Sequence, residues 1–214
     1  MNILLVNPPV QVNVKPEIPS LGISCISHAL EKKGYEVEVL DIDGYRYTKE
    51  TVSDFIKKSN ARIIGIGGLA TVYSYLHWLV PEIKKLKPDS EIILGGAVAS
   101  SLRERCFNRL DIDYEVIGEG EITVTELVRE ITTSRNFKEI SGIGYRSQDG
   151  EVIFTKRRPL MDSLNEVPML RDELFPMETY LENARGFMQI HAQRGCPHAC
   201  TFCFNCYRVV SDKV

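Results

Sequence analysis

Short runs of aliphatic and β-branched residues recur along the first half of the chain, mostly without polar alternation. NILLV (2–6), EVEVLD (36–41), RIIGIG (62–67), EIILGG (91–96) and YEVIG (114–118) each read as a strand. Unbroken apolar character marks strands that are covered on both faces. Helical patterns lie between them. One opens at Ser20, a suitable N-cap, and closes at Gly34, a suitable left-handed cap. A second, over 72–86, repeats Val72, Leu76, Leu79, Ile83 and Leu86 on one face, with Pro88 at its exit. A third covers 121–134, with Ile122, Val124, Leu127, Val128 and Ile131 available for packing.

Strand and helix alternating in this way predict an α/β fold with a doubly wound, five-stranded parallel sheet, because parallel neighbours require helical crossovers. The expected strand order is the flavodoxin-like, Rossmann-like 2-1-3-4-5. Ligands of such a sheet sit beyond the carboxyl ends of its strands.

After about residue 135 the pattern changes. GIGYRSQDGEVIFTKR (142–157) reads as a hairpin turning at QDG. The proline- and charge-rich stretch that follows has little periodicity and resembles a linker. FMQIHAQ (187–193) reads as one further strand. The expected organisation is a sheet domain over 1–135, a hairpin and linker over 136–186, and the start of another domain over 187–214.

Composition narrows the function classes. Apolar residues make up 43% of the 214 positions and charged residues 26%, enough for a core and usual for a globular protein. A formal net charge of -3 provides no electrostatic reason to expect nucleic acid as a partner. No apolar run approaches the roughly 18 residues of a membrane span, and the opening MNILLVNPPV reads as a strand, not a leader. The expected location is therefore cytoplasmic, where clustered thiols serve as metal ligands or catalytic groups more often than as disulfides.

Four of the six cysteines fall within QRGCPHACTFCFNC (193–206). Cys196, Cys200 and Cys203 have the spacing C-x3-C-x2-C. Three thiolates on a short loop can bind three irons of a 4Fe-4S cube and leave the fourth open for chemistry. The alternative is a structural zinc site completed by Cys206, which would make the chain a non-catalytic ligand-binding module with a zinc-binding tail. Otherwise Cys206 reads as a free thiol and His198 as a solvent-facing loop residue. Cys25 and Cys106 lie in helical patterns and read as small buried hydrophobes.

From strand to third thiol, FMQIHAQRGCPHACTFC resembles the radical S-adenosylmethionine superfamily. The signature of that family is C-x3-C-x-aromatic-C after the first strand of a partial TIM-type barrel. The resemblance implies that Cys196, Cys200 and Cys203 hold the 4Fe-4S cluster and that its open iron chelates S-adenosylmethionine. It places Phe202 near the adenine. Reductive cleavage of the sulfonium would then generate a radical that abstracts hydrogen. A small-molecule substrate and an electron donor such as ferredoxin or flavodoxin are implied as partners.

The preceding sheet resembles the N-terminal domain of cobalamin-dependent members of that family. The stretches that carry this resemblance are NPP (7–9), PSLGIS (19–24), GGLAT (67–71), LGGA (94–97) and GEGE (118–121). Each falls at a predicted carboxyl end of a strand or at the helix start beyond it. The resemblance implies cobalamin contacts from Asn7, Pro8, Pro9, Leu21, Gly22, Gly68, Leu69, Ala70, Thr71, Gly95, Gly96, Glu119 and Gly120. Glycines there would let a flat corrin approach the backbone, although tight strand-to-helix turns also call for them. Thr71 could serve a helix cap or a ligand amide, and Glu119 and Glu121 suit a helix N-terminus.

The chain departs from many cobalamin-binding domains in lacking Asp-x-His-x-x-G, so no histidine ligand to cobalt is expected. His28 and His77 lie within helical patterns and read as packing or surface residues. A flavodoxin would need a phosphate-cradling loop where NPPVQVNVKP stands, and a receiver domain would need acids absent from Asn7 and GGLAT. The expected protein is the N-terminal part of a cobalamin-dependent radical S-adenosylmethionine methyltransferase or oxidative cyclase, similar to anaerobic magnesium-protoporphyrin monomethyl ester cyclases. The piece ending at Val214 is expected to be inactive without the rest of its barrel.

Overall fold

Strands with two apolar faces need a helical layer on each side, and alternating side chains divide their burial between the two. A computed structural model describes residues 1–202 except 164, 166, 168–169, 191–193 and 196–199. Strands β1 (Asn2–Asn7), β2 (Glu36–Asp41), β3 (Ile63–Ile66), β4 (Glu91–Leu94) and β5 (Tyr114–Val116) run parallel in the order β2-β1-β3-β4-β5. That is the order expected from the sequence. Leu4, Val6, Ile64, Ile66, Ile92 and Leu94 face one buried layer. It is formed by α3 (Lys49–Lys58), α4 (Tyr73–Leu86), α5 (Gly96–Leu102) and α6 (Glu104–Arg109). Ile3, Leu5, Ile63 and Ile93 face the other, against α1 (Leu21–Glu31) and α7 (Glu121–Thr132). A short α2 (Ile42–Tyr45) follows β2 directly.

The hairpin is part of the same sheet. Strands β6 (Ile143–Arg146) and β7 (Val152–Phe154) add antiparallel to β5, making a mixed sheet of seven strands among the described residues. Backbone pairing explains the addition, since β5 would otherwise present a bare ladder of N–H and C=O groups. Ile143 and Tyr145 also complete the core layer that contains α1 and α7.

The stretch that reads as a linker also returns to the sheet. Its helix α8 (Met177–Asn183) buries Tyr180, while Phe175 just ahead of it joins the same core layer. The Arg171 backbone amide donates to Ser24 Oγ at 2.9 Å, and the Arg171 guanidinium pairs with Glu31. The Tyr180 hydroxyl donates to Asp41 Oδ2 at 2.9 Å. The other Asp41 oxygen accepts from Asn7 Nδ2 at 2.7 Å and from the Gly44 amide at 3.1 Å. Burial raises the carboxyl pKa of Asp41, and these donors offset only part of the rise. Aperiodic sequence concealed this because its anchors are single residues and not a helical face.

One residue of β5 breaks the apolar fill. Glu115 is fully buried, and its oxygens have no ordinary hydrogen-bond partner among the described residues. Burial pushes its carboxyl up to about 8, with the Cys106 thiol and Arg103 only partly opposing. Burial, followed by the nearby Glu115 charge, pushes Cys106 itself up to about 12. A carboxyl whose folded pKa is raised contributes stability that is present below its unfolded pKa and lost as pH rises through the folded value. Wild-type stability is therefore expected to fall by on the order of 3 kcal/mol between about pH 5 and about pH 9 on account of this group. Glu115→Gln, which mimics the protonated form, should remove most of that slope. Urea denaturation at the two pH values checks it, and parallel slopes for the two proteins would contradict it.

Candidate functional site

The carboxyl ends of the parallel strands enclose a cavity of about 350 Å³. Its floor is apolar: Leu5, Ile66, Ile93 and Val116 rise from the strands, and Ile23, Ile26 and Val124 close the sides from α1 and α7. The Ser20 side chain caps α1 by accepting from the Ile23 amide at 3.4 Å, which fixes the helix start at the rim.

Two glycines make the space possible. Gly96 has φ +77°, and a Cβ there would lie 2.8 Å from the carbonyl oxygen and 2.9 Å from the nitrogen of Gly68. Only a residue without a side chain lets those two loops touch. The Val98 amide, donating to the Gly68 carbonyl at 3.1 Å, holds them together. A Cβ on Gly120 would strike the Ile26 side chain at 2.8 Å, so glycine there admits α1 against the start of α7.

The residues expected to meet a cofactor separate into two sets. Leu21, Gly22, Gly68, Gly95, Gly96, Glu119 and Gly120 line the cavity. Asn7, Pro8 and Pro9 are buried outside that lining, and Asn7 uses its amide on Asp41. Leu69, Ala70 and Thr71 are exposed at a 3-10 turn (Ala70–Val72), where no side chain caps the following helix. His28 and His77 lie in α1 and α4, and no histidine lines the cavity among the described residues. Cys200 and Phe202 are exposed; Cys196 and Cys203 lie outside the described residues, as do Cys206 and His198.

Sequence reasoning missed Arg194, which lines the cavity although it belongs to the segment leading to the cysteines. Its guanidinium pairs with Glu121 at 2.7 Å and with Glu119 at 3.6 Å, and lies 3.9 Å from the Cys25 sulfur. Glu119 also accepts from the Met161 amide at 2.8 Å. Burial, followed by the charge of Glu121, raises the pKa of the Cys25 thiol, which keeps it protonated and apolar in character. No local signal marks an arginine as the partner of two glutamates 73 positions and more away.

The B12 binding domain family model matches residues 8–128, and the chain belongs to that family. It is 28% identical to an uncharacterized methyltransferase of Pyrococcus horikoshii, over 95% of this chain and 45% of the relative. It is 27% identical to the anaerobic magnesium-protoporphyrin IX monomethyl ester cyclase of Synechocystis, over 95% of this chain and 42% of the relative. The chain thus spans less than half the length of these curated relatives. Its fold is similar to that of the cobalamin-dependent S-adenosylmethionine radical enzyme OxsB, solved with aqua-cobalamin and S-adenosylmethionine bound. The TM-score is 0.77 at 24% identity, covering 94% of this chain and 28% of that one. No helix among the described residues is long and apolar enough to cross a membrane.

Proposed function

We propose that the chain is the cofactor-binding part of a cobalamin-dependent radical S-adenosylmethionine enzyme that acts in the cytoplasm on a small molecule. One observation carries the reading: an apolar cavity at the strand ends is rimmed by Arg194, two positions before the first cysteine of the C-x3-C-x2-C trio. Cobalamin suits that cavity. The corrin with its amide arms is larger than the enclosed volume, so the Gly68 and Gly96 loops would border the cofactor while the apolar lining of Ile23, Ile93 and Val116 would accept a flat apolar part of it. Leu21, Gly22, Gly95, Glu119 and Gly120 border the same opening. Among the described residues the lining includes no histidine.

Cys196, Cys200 and Cys203 would hold a 4Fe-4S cluster, and Phe202 would contribute to the S-adenosylmethionine site. Together these groups supply hydrogen abstraction and a transferable methyl group or a second redox centre; an electron donor such as ferredoxin or flavodoxin supplies the electrons. The protein would exclude water from the cavity, and Arg194 at its rim precedes the cysteine trio by two positions. The outcome for substrate is methyl transfer, as the name of the Pyrococcus relative suggests, or cyclisation, as that of the Synechocystis relative does.

Anaerobic reconstitution of the full-length protein with iron and sulfide is expected to give absorption near about 400 nm that bleaches on reduction. Substituting Cys200 by alanine should lower the bound iron and sulfide and abolish cleavage of S-adenosylmethionine. Hydroxocobalamin should bind both proteins with a dissociation constant below roughly 10 μM, about -7 kcal/mol. Stoichiometric zinc that iron cannot displace, or no cobalamin binding, would overturn the reading.

A further inference from the structure

Arg194 stands where three segments meet. Its guanidinium reaches Glu121 in the first turn of α7 and Glu119 just before it. Glu119 in turn holds the Met161 amide of the connector. The two carboxylate side chains are only 12% and 13% exposed, and the arginine is 27% exposed. Ion pairs this sheltered are screened far less than surface pairs, and a planar guanidinium can engage two carboxylates where an ammonium acts as a point charge. Removing the arginine would leave two like charges facing each other at the cavity rim, with one partner lost.

We propose that Arg194 is a positioning residue: with Glu119 and Glu121 as its seat, it latches the segment leading into the cysteine trio onto the rim of the cofactor cavity. Filling the cavity and seating that segment are thereby coupled. A ligand pressing on the wall formed by Gly120, Glu121 and Ile26 stabilises the seat, and by reciprocity the seated arginine strengthens ligand binding. The proposal rests on the assignment of cobalamin to this cavity but not on the cluster, because the latch consists of protein groups alone. Arg194 touches neither reacting atoms nor substrate in this role; it sets where the next residues lie.

The test uses the full chain, with hydroxocobalamin as probe and amide hydrogen exchange over residues 187–202 as readout. In the wild-type protein, cobalamin should slow exchange in that segment by about tenfold, within the usual range of couplings. Arg194→Met should abolish the slowing and weaken cobalamin about tenfold in a protein that still folds, with a melting temperature lowered by the two carboxylates left without their partner. Arg194→Lys should fall between the two, because a compact ammonium keeps the charge but lacks the planar fork and the reach of the guanidinium. Exchanging charges in the pair Arg194→Glu with Glu121→Arg should restore part of the slowing and of the affinity. A role confined to stability predicts recovery of the melting temperature without recovery of the slowing or of the affinity. Protection and affinity of wild-type size in Arg194→Met, or a folded charge-exchanged protein without recovery, would overturn the latch. Failure of the wild-type protein to bind cobalamin would refute the cofactor assignment and the coupling together. Cobalamin bound by the wild-type protein without slowed exchange would refute the coupling alone.

Discussion

Gly96→Val is expected to lower stability by about 3 kcal/mol and to weaken hydroxocobalamin binding more than about tenfold. The new side chain meets two obstacles at once. At φ +77° an L-residue sits in the left-handed region, costing roughly 1–2 kcal/mol. The Cβ would also stand 2.8 Å from a backbone oxygen of Gly68, and backbone cannot rotate away as a flexible side chain can. The Gly95 amide donates to the Ile66 carbonyl at 2.8 Å, so the strand end that carries Gly96 is itself pinned. Relief must come from parting the two loops that border the cavity, and for that reason binding and stability should fall together. Urea denaturation and an absorption titration measure the two effects. A variant that is destabilised yet binds like wild type would show that these loops do not meet the ligand. Gly22→Ala is the control: its Cβ meets nothing within 4 Å, so stability should hold.

Tyr180→Ala is expected to cost about 4 kcal/mol, or a fall of roughly 10 °C in melting temperature for a chain of this size. The ring is 1% exposed and packs edge-on against Phe175, with centroids 6.4 Å apart. Its hydroxyl is one of the donors that satisfy the buried Asp41 carboxylate. Burial and the neighbouring Asp41 charge both raise the pKa of the phenol, so it remains a donor throughout the working pH range. Tyr180→Phe separates the contributions, because it keeps the packing and removes one hydrogen bond to a charged group, worth about 1.5–3 kcal/mol. Were Tyr180→Ala to melt within about 2 °C of wild type, the connector would be an external strap and not part of the core.

Much of the fold can be read along the chain because its determinants are local. The five aliphatic runs specify parallel strands, the Ser20 hydroxyl and Gly34 mark the ends of the first helix, and the loops at the carboxyl ends carry the glycines that line the cavity. The resemblance to cobalamin-dependent radical S-adenosylmethionine enzymes rests on the order of those same loops, and membership of the B12-binding family agrees with it. The site was less legible. NPP and the exposed turn after β3 occupy the right edge of the sheet, yet they lie outside the cavity lining, because an edge position does not say which way a loop leans.

Periodicity and turn chemistry act over a few residues, and for that reason amino-acid order was enough to specify the alternating elements, their winding order and the cysteine spacing. Joining the hairpin to β5, burying Tyr180 against Asp41 across 139 positions, and pairing Arg194 with the glutamates ahead of α7 required the folded chain. Contacts of that kind depend on which surfaces remain uncovered once the sheet has formed, a property that no short window of residues contains.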